Sequence, residues 1–305
     1  MIWYSFTPVD TLFFKGAVMA EKGEDHNAVS IFPPTPHTIS GALRTTILRQ
    51  NGISIDEFKN GRFPKNIMES VGKPGSSSPF NVIGPFLREE NNLYIPTPFT
   101  WFVDKYLTND NIYVASKLKS TLLVFPREKK FWAKGLDSEL ENVGGNWIRI
   151  DKMLHPKRSY ILPNDHFFIS EIRTGNALQT NRRVHEGRLY SFTHIRLKEN
   201  IALVFGVNMD LPLADTGILT LGGEQRFGRY SKIKPVQITH GSSELYMSLT
   251  LTKAQKEYES SLIATGKLIY RGGWDLHKGF HKPMEAYFPS GSVFDTKIED
   301  NMIEL

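Results

Sequence analysis

No cysteine occurs among the 305 residues. Its absence excludes disulfides, thiolate zinc sites and cysteine nucleophiles together, and fits a chain that folds in a reducing compartment. Long apolar runs are also missing. The best candidate, IALVFGV from residue 201, has the length of a strand, well short of the roughly 18 to 20 residues a membrane-spanning helix needs. The opening MIWYSFTP has neither a basic leader region nor a small-residue cleavage site, so no signal peptide is read. These features predict a globular, cytoplasmic protein without membrane association. P-loop, GxGxxG, GxSxG and HExxH patterns are lacking, the acidic residues form no cluster suited to a two-metal nuclease, and there is no internal repeat. His277 and His281 have the spacing of helix-borne zinc ligands, but Gly279 interrupts the helix they would need. No metal and no cofactor is expected.

What is present is apolar surface and clustered positive charge. Hydrophobic residues at 40% and aromatics at 12% are ample for packed cores, and the length allows two domains. Lys and Arg number 37 against 32 Asp and Glu, a modest excess. Its placement is informative. Residues 171–198 carry six Arg or Lys and two Glu, contributing +4 of the formal net charge of +5, and residues 226–234 carry four cations and no acid. Such concentration points to a polyanionic partner.

From Arg188 to Leu197 the chain alternates. Leu189, Ser191, Thr193, Ile195 and Leu197 fall on one face of a strand, and Arg188, Tyr190, Phe192, His194 and Arg196 on the other. The first face can join a core. The second interleaves cations with flat rings, the chemistry that holds single-stranded nucleic acid, with Arg for phosphates and Tyr or Phe for stacking. The alternative is that Tyr190 and Phe192 pack beneath a second domain while the arginines are solvated. Glu171 to Leu178 reads as a partner strand, and residues 179–187 as a polar connection in which Arg182, Arg183 and His185 could wrap a backbone. A basic β-hairpin is predicted.

Elsewhere, residues 2–7 read as an aromatic strand ending at Pro8, and residues 15–30 as a charged surface loop. Thr35 as N-cap, Pro36 as first helical residue and Asn51-Gly52 as the stop predict a helix over about 36–50. Ile39, Leu43 and Ile47 form its buried stripe, Gly41 and Ala42 a low surface for close packing, and His37, Ser40 and Arg44 a face open to a partner or a phosphate. FLREENNLYIP from residue 86 reads as a hairpin turning at 89–92, residues 201–207 as a buried strand, and DLPLADTGILTLGG from residue 210 as a short helix leading into a turn with Gly222, Gly223 and Gly228. The tail from residue 245 reads as strand, helix, then paired strands. The expected class is α+β. Residues 1–236 have the element order of a ferredoxin-like, RRM-type domain carrying an insertion at about 53–165, and residues 237–305 form a second such domain, possible strands from the insertion completing it.

Five separated blocks resemble the RAMP superfamily of CRISPR effector subunits, and within it the family of subunit three of the type III-B Cmr complex. They are Pro8–Phe14 with Gly23–His26; Phe32–Pro36 with Ser40–Arg44; Arg173–Leu178 with Glu186–Ser191; Leu221–Glu224 with Arg226 and Tyr230; and Gly273–Asp275 through Pro289–Val293. The resemblance implies two ferredoxin-like domains, binding of the 5′ tag of the CRISPR RNA, contact with the large polymerase-bearing subunit and the backbone subunits, and no catalytic role. The glycine loop 222–228 is shorter than in many RAMP nucleases.

In this reading Arg173, Arg182, Arg183, Arg188 and Arg196 position the RNA backbone, Tyr190 and Phe192 stack bases beside His194, and Arg226 and Arg229 add phosphate contacts near Gly222 and Gly223. The competing readings are a metal-independent RAMP endoribonuclease processing repeat RNA, with His26 or His37 as general base, and a scaffold whose hairpin docks on an acidic protein surface.

Overall fold

Trp3, Tyr4, Ser5 and Phe6 are all buried, so the opening strand Ile2–Pro8 is covered on both faces. The computed structural model describes residues 1–16, 27–107, 109–115, 139–178, 183–275 and 280–305. In it this strand lies between Ile201–Val207 and Phe227–Ile233, antiparallel to both. Thr216–Thr220 adds the outer edge beside Phe227–Ile233. The strand Ile201–Val207 is buried throughout, as its unbroken apolar run predicts.

The chain divides into two compact units: residues 1–85, 167–236 and 270–285 in the first, and 86–166, 237–269 and 286–305 in the second. In the first unit, the helix Pro36–Gln50 forms where its caps predict. The Thr35 hydroxyl accepts a hydrogen bond from the Thr38 N–H, Pro36 opens the first turn and Asn51 closes the last. Ile39, Leu43 and Ile47 are fully buried. Gln50 donates to the Tyr230 hydroxyl at 2.8 Å, and Tyr230 in turn donates to the Ala214 carbonyl, which ties the end of the helix to the sheet. Gly41, by contrast, meets nothing within 4 Å of where a Cβ would sit, so it is not a close-packing position.

The helix expected from residue 210 is replaced by the strand Thr216–Thr220. Thr216, Ile218 and Thr220 are β-branched and alternate, and a Cβ at Gly217 would come within 2.9 Å of the Tyr230 ring, so glycine is what lets that ring pack across the sheet. Among the described residues, therefore, no helix lies between the strands Ile201–Val207 and Phe227–Ile233, where the ferredoxin-like order expects one. The class is α+β, with mostly antiparallel sheets and few helices.

In the second unit the predicted hairpin is present: Glu89 pairs with Asn92 around a two-residue turn in which Glu90 takes a positive φ of 52°. The helix expected in the tail is reduced to the three-residue 3₁₀ turn Lys256–Tyr258. Phe288, Phe294 and Met302 form a core there, with Tyr246, Tyr258 and Leu262 packed against it.

Candidate nucleic-acid interface

Phe168–Leu178 and Val184–Leu197 form the basic hairpin, whose register pairs Arg173 with Phe192, Glu171 with His194 and Ile169 with Arg196. Directly opposed residues point to the same face, so Glu171, Arg173, Phe192, His194 and Arg196 share one side. Two other segments reach that side: residues 10–14, where Leu12 bridges to Ile195, and the turn around 222–226.

Asp10 joins them. Its carboxylate accepts from Arg173 at 3.2 Å, Arg196 at 3.1 Å and Arg226 at 3.0 Å. Glu171 pairs with Arg173 at 2.8 Å and with Arg196 at 2.7 Å, and Glu224 pairs with Arg226 at 3.3 Å. Three carboxylates therefore balance three guanidinium groups. Partial burial works against the charge of Asp10, yet the Thr11 N–H, Arg173 and Arg196 hold its carboxyl below the usual range. Arg196, and then Arg173, do the same for Glu171.

His194 is 1% exposed. Nδ1 lies 3.0 Å from the Thr11 hydroxyl and Nε2 lies 3.3 Å from Glu224, so a neutral ring satisfies both nitrogens by accepting from Thr11 and donating to Glu224. Burial, then Arg226 and Arg173, push its pKa down, which keeps it neutral. The ring of Phe13 stacks on His194 at 5.2 Å and meets Phe192 at 5.0 Å. His194, grouped in the sequence with an outward-facing set, is thus enclosed, because residues 11–13 cover that part of the strand.

The glycine turn is shaped by the same segment. Gly222 has φ +97°, and a Cβ there would lie 2.5 Å from the Phe13 carbonyl oxygen; the Gly223 N–H donates to that oxygen at 2.7 Å. Close backbone approach is the reason for these glycines, and what they approach is the chain itself.

Of the other expected residues, Arg183 and Arg229 are exposed. Arg188 and Tyr190 belong to the strand Val184–Leu197, with Tyr190 opposite Gly175, while their side chains lie outside the described residues. Arg182 and His26 also lie outside them. The helix face of His37, Ser40 and Arg44 is not open along its length. Ser40 is buried, and Arg44 donates to the carbonyls of Ser76 and Lys73 and lies 5.7 Å from the centre of the Phe58 ring. Arg44 therefore anchors a neighbouring loop. His37 is exposed at the start of the helix. Among the described residues no group of three His, Cys, Asp or Glu side chains is placed to hold a metal, and no helix is long and apolar enough to cross a membrane.

Sequence reasoning missed Asp10, Glu171 and Glu224 as partners of the arginines. It noted Phe227 between the cations of the second basic cluster but gave it no role; Phe227 is exposed. Alternation along Phe227, Arg229 and Ser231 could have found Phe227; no local signal ties Asp10 to residues so far along the chain.

A family model described as CRISPR-associated protein (Cas_Cmr3) matches residues 4–258. No match was found among curated proteins. The chain is similar to one in a cryo-EM structure of the type III-B Cmr-beta complex bound to cognate target RNA and AMPPnP, with 14% identity and a TM-score of 0.57, covering 96% of this chain and 85% of that one. A second cryo-EM structure of Cmr-beta, bound to cognate target RNA, contains a chain similar at 14% identity and a TM-score of 0.56, covering 96% and 86%.

Proposed function

From the premise that the chain belongs to the CRISPR-associated protein (Cas_Cmr3) family, we propose that it is a non-catalytic, RNA-holding subunit of a type III-B CRISPR effector complex. In this reading it grips the 5′ tag of the CRISPR RNA, docks on the large polymerase-bearing subunit and the backbone subunits, acts in antiviral defence, and works in the cytoplasm. The observation that carries the reading is the family match itself, whose range, residues 4–258, includes the hairpin and the glycine turn. The two ferredoxin-like domains implied by the resemblance belong to the same proposal.

The ion pairs bear on how the arginines would meet RNA. Arg173, Arg196 and Arg226 are committed to Asp10, Glu171 and Glu224. Each guanidinium has five N–H donors, so the ion pairs fix its plane and leave the rest of the fork to a phosphate. In this reading Arg182, Arg183, Arg188 and Arg229 would add further phosphate contacts. About four phosphate contacts on a single strand give a log–log salt slope near −3.

The test is a crosslinking map of the assembled complex on CRISPR RNA. Crosslinks from the tag to residues 173–196 are expected; their absence from this segment, with crosslinks elsewhere, would replace the reading by the scaffold one. Incubation of the purified chain with repeat RNA in EDTA is expected to leave the RNA intact, and defined cleavage would make the subunit an enzyme.

A further inference from the structure

The sheet of the first unit has a second exposed area, which begins at Val9 and Phe227, next in the chain to Asp10 and Arg226 of the ion-pair network. Phe227 is level with Thr220 on the edge strand, and its carbonyl accepts from the Val9 N–H at 3.2 Å. Arg229 is level with Thr7 on one side and Ile218 on the other. Opposed residues share a face, so these two rows are neighbours on one face of three adjacent strands. Between them, Gly228, Tyr230 and Leu219 turn the other way and are buried, with Tyr230 bonded to the helix residue Gln50. The face in question is therefore the one opposite the helix.

It is open. Val9 is 62% exposed, Ile218 51% and Phe227 47%, with Thr7 and Arg229 exposed beside them. Among the side chains of the two rows Arg229 is the one charge. A half-exposed aromatic ring on a strand, an arginine two residues on, short hydroxyl side chains around them and no carboxylate match a base and its phosphate. Alternate residues on a strand are about 7 Å apart, room for a base on the ring with its backbone at the cation.

We infer that Phe227 is a base-stacking platform and Arg229 the phosphate contact of a binding subsite for one nucleotide of single-stranded RNA. This rests on the RNA-holding reading above and extends it from the hairpin network to the adjoining sheet face, giving Phe227 a role beside Arg229. Charge favours RNA over a protein occupant. Among the described residues no carboxylate pairs with Arg229, and Arg226, next to Phe227, already has both its carboxylate partners inside the network. The edge strand is also poorly suited to adding a strand from a partner, since Arg49 donates to the Ile218 carbonyl at 2.6 Å and occupies that position.

The test is fluorescence anisotropy of the full chain with a labelled ten-nucleotide single-stranded RNA and with an abasic oligomer of equal length, repeated in the assembled complex. Phe227→Ala is expected to weaken RNA binding about 5- to 150-fold, the equivalent of about 1 to 3 kcal/mol for one stacked base. It should leave the abasic oligomer unaffected, and Phe227→Trp should restore binding. Arg229→Ala should weaken both ligands and make the salt slope shallower by about 0.7. If the wild type binds RNA and Phe227→Ala binds equally well, the subsite is wrong and the RNA-holding reading stands. If the wild type binds RNA in neither form, both fall. If Phe227→Ala keeps its RNA affinity but no longer joins the complex, the face is a protein interface and the inference is overturned.

Discussion

Asp10→Ala removes the one carboxylate shared by three arginines, and its cost can be worked from the geometry. Asp10 is 42% exposed, so solvent screens its pairs and each is worth little by itself. Arg173 and Arg196 keep Glu171 when Asp10 is removed, which sets their loss at about 0.5 kcal/mol each. Arg226 is 21% exposed and its buried Nε has no hydrogen-bond partner among the described residues. It would retain only Glu224, at 3.3 Å. Its pair with Asp10 should carry about 1 kcal/mol, the top of the range for partly exposed pairs, for a total near 2 kcal/mol. The assay is urea unfolding at low salt and at 1 M salt. The midpoint should fall with an unchanged m-value, and the effect should shrink at high salt, where the Debye length is about 3 Å. Asp10→Asn keeps an acceptor without the charge and should fall between. A double-mutant cycle of Asp10→Ala with Arg226→Ala should show coupling of about 1 kcal/mol, and one with Arg44→Ala none. An unchanged midpoint at low salt would refute the reasoning, because the three pairs would then be surface charge without stabilising effect.

Further outcomes follow from the same region and from the helix. Burial lowers the pKa of His194, so the unfolded chain binds its proton first: the stability this residue contributes is complete above about pH 6.5 and is lost as pH falls below it, at no more than about 1.4 kcal/mol per pH unit. Urea midpoints measured from pH 8 to 5 should show this limb, and His194→Gln should flatten it; Asp10 and Glu171, both lowered, add a second loss below about pH 4. Gly222→Ala should destabilise by about 2 to 3 kcal/mol in thermal or urea unfolding, through its positive φ and the Phe13 carbonyl. Gly41→Ala, in open space inside a helix, should stabilise by about 0.5 to 1 kcal/mol. Combined Arg183→Ala and Arg229→Ala should make the salt slope of RNA binding shallower by about 1.4, whereas equal slopes would remove both residues from the contact set.

The parts of the fold legible in the sequence are those fixed by near neighbours. Thr35, Pro36 and Asn51 bound the first helix because capping is decided within four residues, and Glu89 to Asn92 turn because the strands meet at once. The segment from residue 210 was misread for the same reason in reverse. Its Leu211, Leu213 and Ala214 suggest a helix start, whereas the β-branched Thr216, Ile218 and Thr220 alternate as in a strand, and pairing with Phe227–Ile233, with the Tyr230 ring over Gly217, decides for the strand. The site was legible as charge and illegible as partnership. Asp10 is 163 residues from Arg173 and 216 from Arg226, and no periodicity spans such distances. Alternation correctly grouped Phe192, His194 and Arg196 on one face but carried no information about what would cover it.

The position of the opening strand bears on how the protein is made. Ile2–Pro8 leaves the ribosome well before its two neighbours in the sheet, which begin only at Ile201 and Phe227. At about 5 to 20 residues per second it waits roughly 10 to 40 s with Trp3, Tyr4 and Phe6 unpaired. During synthesis, therefore, this strand needs protection by a chaperone, and nascent chains on one messenger could associate through it. Translation speed between residues 8 and 200 should set the yield of folded subunit more strongly than the stability of the finished protein does.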